Sequence, residues 1–324
     1  MKRTFLSREI FPEYIKIIEE NTDSEIWLDE MPPTQMELLE KVRGVDGLLC
    51  LITDQIDADL MDAAGSQLKV ISQIAVGYNN IDINEATKRG IPVGHTPDVL
   101  TQTTADATLA LMLASARRIT ESERVVRNGK WRTWHPLHFL GQDLYKATIG
   151  IIGMGRIGLA VAKRCLGFEM NILYYDVTQR KDLESDFPLN FVDLDTIFRE
   201  SDFVSIHTVL DDTTRHLIND DVLSKMKSTA ILVNAARGPI VDQKALYNAL
   251  SKGEIAGAGL DVTDPEPIHM NDPLLTLDNC VIVPHIGSAS FRTRREMSRI
   301  SAANLLNGVK GERLLTCVNP EVYK

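Results

Sequence analysis

The chain has 324 residues, too many for one ordinary hydrophobic core, so two domains are expected. Hydrophobic residues make up 44% of the chain and charged residues 25%, and the formal net charge of -10 argues against nucleic acid or an anionic membrane as the main partner. No apolar run approaches the ~18 residues of a membrane span, and residues 1–9 lack the apolar stretch of a signal peptide, so a cytoplasmic protein is predicted.

The first third of the chain alternates between short strand-like and helix-like runs. The strand-like runs are residues 4–6, 26–28, 47–52, 69–73 and Val93, and the helix-like runs are residues 12–20, 35–42, 58–64 and 84–88. Thr34 and Asp82 are suitable N-caps for two of these helices. Alternation of this kind predicts a parallel sheet flanked by helices, and therefore one open α/β unit.

Residues 101–118 have a different composition, dominated by small and straight-chain residues without glycine or proline, which predicts a well-buried helix. An aromatic-rich stretch follows at residues 128–136 and carries Trp131 and Trp134 on a predicted loop. The two tryptophans mark an interface or a lid over a site, or they simply pack on the domain surface, and the sequence alone leaves these alternatives open.

The most informative segment runs from Thr148 to Asp176. An apolar run ends in Gly153-Met154-Gly155-Arg156-Ile157-Gly158 and passes straight into a helix-like segment, and a second apolar run then stops at Asp176. This order of strand, glycine turn, helix, strand and acid is typical of dinucleotide binding. The glycines let the backbone approach a pyrophosphate at the helix N-terminus, and the carboxylate accepts hydrogen bonds from ribose hydroxyls.

The alternation resumes after Asp176. Strand-like runs are residues 202–207, 230–234, 256–262 and 280–283, helix-like runs are residues 194–199, 220–225 and 243–250, and residues 292–306 form a long helix-like tail. The predicted fold class is α/β with two doubly wound parallel-sheet domains. A Rossmann cofactor domain at residues 101–289 is inserted into a flavodoxin-like substrate domain at residues 1–100 and 290–324.

Three side chains follow predicted strands at the edge of the sheet where doubly wound proteins bind ligands. Arg237 and His285 each follow a strand directly, and Glu266 lies in the acidic loop after residues 256–262. An arginine fork suits a planar carboxylate, and a carboxylate beside an imidazole holds its tautomer. Taken singly, each residue could be an ordinary loop residue, but their shared position favours a functional site. Together they are candidates for the cation, the acid and the tuning group that a nicotinamide enzyme acting on a 2-oxo acid would need.

The other histidines and the cysteines show no such convergence. The histidines are His95, His135, His138, His207, His216 and His269, of which His207 also follows a strand and either lines the cofactor cleft or is structural. The cysteines, Cys50, Cys165, Cys280 and Cys317, are scattered without a C-x-x-C pair. Buried free thiols are therefore expected, and no metal site or disulfide framework is predicted.

With these motifs in place, the sequence resembles the D-isomer-specific 2-hydroxyacid dehydrogenases, and among them most closely the glyoxylate and hydroxypyruvate reductases (D-glycerate dehydrogenases). The matching segments are residues 76–82, 95–101, 153–158, 235–238, 260–267 and 284–289. The resemblance implies NAD(P)H-dependent reduction of glyoxylate or hydroxypyruvate to glycolate or D-glycerate by a homodimer. Two alternatives stay open: another D-2-hydroxyacid dehydrogenase, of D-lactate type or acting on a bulkier 2-oxo acid, and a non-catalytic NAD-sensing interaction protein.

The resemblance also implies roles for individual residues. Arg237, Glu266 and His285 match the family's catalytic trio, in which the histidine is the general acid, the glutamate supports its protonated form and the arginine clamps the substrate carboxylate. Val76 and Gly77 match backbone amides that bind the same carboxylate. The implied cofactor contacts are Thr104, Gly153, Met154, Gly155, Arg156, Ile157, Gly158, Asp176, Ala235, Asp261 (which receives the carboxamide) and Gly287.

Two further expectations depend on single positions. Trp134 matches a tryptophan that similar reductases bring from the partner subunit towards the substrate, which makes the dimer functional.

The other expectation concerns the cofactor. Many glyoxylate reductases that take NADP carry an uncharged residue followed by arginine in the segment that starts at Asp176 in this chain. The Asp176 carboxylate should repel a 2′-phosphate, so NADH is the predicted cofactor, although Arg180 and Lys181 leave tolerance of NADP open.

Overall fold

A computed structural model describes all 324 residues of the chain. Internal contacts divide the chain into two units, residues 1–100 with residues 289–324, and residues 101–288. The second unit is thus one continuous insertion in the first. No helix combines the length and the apolar composition needed to cross a membrane.

The first unit contains five parallel strands flanked by five helices. The strands are β1 (Arg3–Leu6), β2 (Asp23–Ile26), β3 (Gly47–Cys50), β4 (Val70–Gln73) and β5 (Val93–Gly94), in the spatial order β2-β1-β3-β4-β5. The helices are α1 (Pro12–Asn21), α2 (Gln35–Lys41), α3 (Ala58–Ala64), α4 (Ile83–Lys88) and α12 (Phe291–Lys310). Leu48 of β3 packs in a cluster with α2 and α3, whereas Leu49 packs in a cluster with α12, so both faces of the sheet are buried.

The second unit contains seven parallel strands. They are β6 (Thr148–Ile152), β7 (Asn171–Tyr175), β8 (Leu189–Phe191), β9 (Phe203–Ile206), β10 (Ile231–Asn234), β11 (Gly257–Leu260) and β12 (Cys280–Ile282), in the order β12-β11-β10-β9-β6-β7-β8. The order of the strands reverses at β6 and β9, which are neighbours. In open α/β sheets, ligands bind in the crevice that such a reversal opens at the carboxyl ends of the strands.

Helices cover both faces of this second sheet. They are α5 (Thr101–Ala116), α6 (Ile119–Arg127), α7 (Arg156–Cys165), α8 (Lys181–Glu184), α9 (Leu194–Glu200), α10 (Asp220–Lys225) and α11 (Gln243–Lys252). Side chains of β10 alternate between two clusters, with Val233 packed in the cluster that includes α5 and α7, and Leu232 in the cluster that includes α9, α10 and α11. This sheet is therefore also buried on both faces, as parallel sheets usually are.

The structure confirms the predicted α/β class with two parallel-sheet domains. Both predicted N-caps are present, since Thr34 accepts the N–H of Glu37 and Asp82 accepts the N–H of Glu85. The predicted position of β2 was wrong, because the strand pairs with β1 at Asp23–Ile26 rather than at residues 26–28. The sequence did not predict α6, which buries no residue, or β8, a three-residue edge strand with only Leu189 buried.

Candidate active site

The glycine-rich turn joins β6 to α7. A Cβ on Gly153, where φ is +95°, would lie 2.7 Å from backbone atoms of His207 and Thr208, and a Cβ on Gly158 would lie 2.1 Å from the Gly153 carbonyl oxygen. Neither position has room for a side chain. A Cβ on Gly155 would meet no atom within 4 Å, so bare backbone borders open space at the start of α7. This shape fits a diphosphate group that accepts hydrogen bonds from the helix N-terminus.

Asp176 follows β7 and lies against this turn. Its Oδ2 accepts the backbone N–H of Met154 at 2.7 Å, while the Met154 side chain is buried. Arg180 donates from Nη1 to the Met154 carbonyl oxygen at 3.1 Å. The Nε and Nη2 of Arg180 donate to the two carboxylate oxygens of Asp182, at 3.0 and 2.7 Å. The turn is therefore bordered by an acid that accepts one of its backbone N–H groups and by an arginine that is already paired with a second acid.

Three more of the predicted cofactor residues lie together. A Cβ on Gly287 would lie 2.7 Å from Asp261 Oδ2 and 3.4 Å from Thr104 Cγ2. Asp261 is only 2% exposed, and its two carboxylate oxygens accept the backbone N–H groups of Ile286 and Gly287 at 2.7 and 2.8 Å. Asp261 thus fixes the loop that follows β12, a role that the sequence did not reveal.

The loop fixed by Asp261 carries His285. The Nδ1 of His285 is hydrogen-bonded to Glu266 Oε1, and because a carboxylate oxygen accepts, Nδ1 carries the proton. Nε2 is then the ring atom that can exchange a proton with a ligand. The backbone N–H of His285 donates to the Asp261 carbonyl oxygen at 3.0 Å, and its φ is +51°, a sparsely populated conformation for histidine that is common at functional sites.

Arg237 lies in the turn after β10, together with the predicted cofactor residue Ala235. The buried Asn234 side chain holds this turn, since its Nδ2 donates to the Arg237 carbonyl oxygen at 2.8 Å and its Oδ1 accepts the Ala236 N–H at 3.0 Å. Burial lowers the pKa of the Arg237 guanidinium, and the Glu266 carboxylate opposes that shift. Arginine nevertheless stays charged at neutral pH. The Glu266 carboxylate therefore interacts with His285 through a hydrogen bond and with Arg237 through its charge.

The remaining predicted site residues are Val76, Gly77 and Trp134. Val76 and Gly77 belong to the first unit and form part of the half-buried loop after β4. Trp134 belongs to the second unit, in the stretch without helix or strand between α6 and β6, and is 77% exposed. Their roles stay predictions.

His207 follows β9, and its backbone lies against the glycine-rich turn, where a Cβ on Gly153 would come within 2.7 Å of it. Burial lowers its pKa to about 4, so the imidazole is neutral at pH 7, and its Nε2 lies 2.8 Å from the Ser205 hydroxyl.

All four cysteines are free thiols; Cys50 and Cys165 are buried, and Cys280 and Cys317 are half-buried. No group of three or more histidine, cysteine, aspartate or glutamate side chains is arranged to hold a metal ion.

Several known proteins are similar to this chain. A sequence model of the D-isomer specific 2-hydroxyacid dehydrogenase NAD-binding domain matches residues 109–287. A glyoxylate reductase from Korarchaeum cryptofilum is 51% identical over 323 residues, 99% of this chain and 97% of that relative. A crystal structure of a Thermus thermophilus protein has a TM-score of 0.92 and 44% identity, covering 98% of this chain and 99% of the other. An NADPH-dependent glyoxylate/hydroxypyruvate reductase from Sinorhizobium meliloti, solved with NADP and malonate, has a TM-score of 0.85 and 31% identity, covering 98% and 96%.

Proposed function

The chain belongs to the D-isomer specific 2-hydroxyacid dehydrogenases, and we propose that it reduces glyoxylate or hydroxypyruvate to glycolate or D-glycerate. The observation that carries this proposal is the His285–Glu266 pair beside Arg237, in the unit that also holds the dinucleotide-binding turn. A relative named glyoxylate reductase, at 51% identity over almost the whole chain, supports the choice of a small 2-oxo acid. When bound, the reduced nicotinamide cofactor supplies the hydride.

In the proposed reaction His285 is the general acid. Glu266 holds Nδ1, so the Nε2–H of the imidazolium donates its proton to the keto oxygen of the substrate as that oxygen gains negative charge. Glu266 stabilises the imidazolium, as a carboxylate does in other histidine–carboxylate pairs. In the reverse direction the neutral Nε2 accepts the hydroxyl proton.

Arg237 is proposed to bind the substrate carboxylate. Its planar guanidinium can donate two parallel hydrogen bonds to a carboxylate, and a half-buried site strengthens that attraction because less water screens it. The backbone N–H groups of Val76 and Gly77 are proposed to bind the same carboxylate. Together these donors would recognise any 2-oxo acid by its common end and leave selectivity to the other end of the substrate.

Initial rates with glyoxylate, hydroxypyruvate, pyruvate and phenylpyruvate test the substrate class. We expect kcat/KM for glyoxylate or hydroxypyruvate to exceed that for the other two acids by about tenfold or more. A small pocket rejects the ring of phenylpyruvate, and polar groups that bind the hydroxyl of hydroxypyruvate would be left unpaired by the methyl group of pyruvate. A preference for pyruvate or phenylpyruvate would instead identify a D-lactate-type enzyme or one for bulkier 2-oxo acids.

NADH is the proposed cofactor because Asp176 presents a carboxylate at the glycine turn and Arg180 is occupied by Asp182. We expect wild-type kcat/KM to favour NADH, and Asp176→Ala to shift the NADPH/NADH ratio of kcat/KM towards NADPH by about tenfold or more, because repulsion of the 2′-phosphate is lost. Asp182→Asn is the matched variant: it releases Arg180 and should improve NADPH use without impairing NADH use. A wild-type preference for NADPH would contradict this assignment.

We propose a second copy of the chain as the partner. Exposed apolar side chains accumulate on the stretch between α6 and β6: Trp131, Trp134, Leu137, Leu140 and Tyr145. A surface of this kind favours association in water. The cytoplasmic location stays a prediction. The lack of a nucleic acid or membrane partner also stays a prediction, supported by the net charge of -10.

Trp134→Ala tests whether the partner completes the site. If Trp134 reaches the substrate of the partner subunit, the variant should remain a dimer of the 36.1 kDa chain in sedimentation experiments and show a KM for glyoxylate raised about tenfold, with the Kd for NADH unchanged. Trp131→Ala, which removes a similar area of exposed indole, is the control. A monomeric wild-type protein with full activity would refute the functional dimer.

A further inference from the structure

The loop after β4 contains the peptide that joins Val76 to Gly77. Both residues are half-buried, and this peptide is trans, since the only cis peptides of the chain precede Pro265 and Pro267. Under the proposed function the N–H of Gly77 binds the substrate carboxylate. The direction of that N–H is therefore a determinant of substrate binding.

His95 contacts the other side of the same peptide. Its Nδ1 lies 3.1 Å from the Val76 carbonyl oxygen, and because a carbonyl oxygen accepts, Nδ1 donates. A trans peptide is planar, so the Val76 C=O and the Gly77 N–H point in opposite directions from one rigid plane. A hydrogen bond that fixes the carbonyl therefore fixes the N–H as well, and it also polarises the amide so that the N–H is a stronger donor.

His95 is itself held in place. Its carbonyl oxygen accepts the Thr316 hydroxyl at 2.5 Å and the Asn304 Nδ2 at 3.4 Å. Its ring meets the Tyr78 ring edge-on, with centroids 5.8 Å apart and an interplanar angle of 77°. The next residue continues the attachment, because the Thr96 N–H donates to the Ala75 carbonyl oxygen at 2.8 Å. The imidazole is thus a rigid support for the loop.

Gln73 supports the peptide that follows. Its Nε2 donates to the Gly77 carbonyl oxygen at 2.7 Å and to the Asn80 Oδ1 at 2.7 Å. Side chains from two different strand ends therefore hold the peptide planes on both sides of Gly77.

We infer that His95 is a positioning residue for substrate binding: its Nδ1–H orients the Val76–Gly77 peptide so that the Gly77 N–H faces the carboxylate of the 2-oxo acid. The inference rests on the proposed function and deepens it, because it names a side chain that acts on the substrate through the backbone. His95 does not take part in the proton transfer, which belongs to His285.

Two substitutions separate the hydrogen bond from the packing of the ring. His95→Phe keeps a ring against Tyr78 and loses the donor, whereas His95→Asn loses the ring and keeps a donor on the same branch of the side chain. We expect His95→Phe to raise the KM for glyoxylate about tenfold, while kcat and the KM for NADH stay within about threefold of wild type. His95→Asn should bring the KM for glyoxylate back to within about threefold of the wild-type value. The Kd for oxalate, an unreactive dicarboxylate probe, should rise with the KM in His95→Phe and recover in His95→Asn.

The inference fails if His95→Phe binds glyoxylate and oxalate as wild type does, or if His95→Asn is the more impaired of the two, since either result assigns His95 to packing. It also fails if the KM values for glyoxylate and NADH rise together, which indicates general damage. Should His95→Phe not fold, as judged by its thermal transition, His95→Ala compared with His95→Asn gives the same test. If the wild-type enzyme itself leaves glyoxylate unreduced, the proposed function fails, and oxalate titration still reports whether His95 orients an anion-binding peptide.

Discussion

Replacing His285 with alanine is expected to lower kcat for glyoxylate reduction about 10³-fold, within the range that a positioned general acid contributes. The substitution removes the only ring nitrogen that Glu266 orients for proton donation. His285 is not one of the predicted cofactor contacts, and the dinucleotide-binding turn is a different segment, between β6 and α7. The Kd for NADH should therefore change by less than about threefold. Rates of NADH oxidation and a fluorescence titration with NADH measure the two effects separately.

Glu266→Gln is the companion variant for His285→Ala. A glutamine oxygen still accepts the Nδ1–H bond, but it carries no charge to stabilise the imidazolium, so we expect an intermediate loss in kcat of about 10²-fold. If His285→Ala kept more than about a tenth of the wild-type kcat, another group would have to donate the proton, and the assignment of His285 as the general acid would be wrong.

Replacing Arg237 with alanine is expected to lower kcat/KM for glyoxylate about 10³-fold, because two charge-assisted hydrogen bonds to the carboxylate are lost from a half-buried site. Arg237→Lys should recover part of this loss, about tenfold, since it keeps the charge but not the planar fork. Most of the effect should appear in the KM for the 2-oxo acid, while the Kd for NADH stays close to that of wild type.

Arg199→Ala is the matched control for the arginine variants. Arg199 lies on α9 in an exposed i,i+4 pair with Asp195, so its removal should leave kcat/KM within about twofold of wild type and cost little stability. If Arg237→Ala behaved like Arg199→Ala, the carboxylate would have to be bound by other groups, and the role proposed for Arg237 would be excluded.

The two sheets could be predicted because their strands are short apolar runs with local boundaries. β3 is buried along its whole length and reads as a continuous apolar run between polar segments, as parallel strands do. The position of β2 could not be predicted, since two of its four residues are exposed, the other two are only half-buried, and its register is set by pairing with β1. The sequence analysis also missed α6, which buries no residue.

The candidate site was predictable to the extent that its residues follow strands. Arg237 and His285 could be selected because the carboxyl ends of parallel strands meet at one edge. Asp261 could be placed at that edge, but its bonds to the N–H groups of Ile286 and Gly287 join residues 25 and 26 positions apart and depend on the path of a loop. The hydrogen bond from His95 to Val76 spans 19 positions and ends on a backbone oxygen, so it could not be predicted from the residue types.

The measurement that tests the central claim most directly is the rate of NADH oxidation by the wild-type enzyme with glyoxylate and with hydroxypyruvate, with NADH binding measured on the same preparation. We predict turnover of at least one of the two acids, with kcat in the range of about 1–10³ s⁻¹ typical of enzymes. Tight binding of NADH without oxidation by any 2-oxo acid would contradict the enzymatic function and favour a protein that senses NAD.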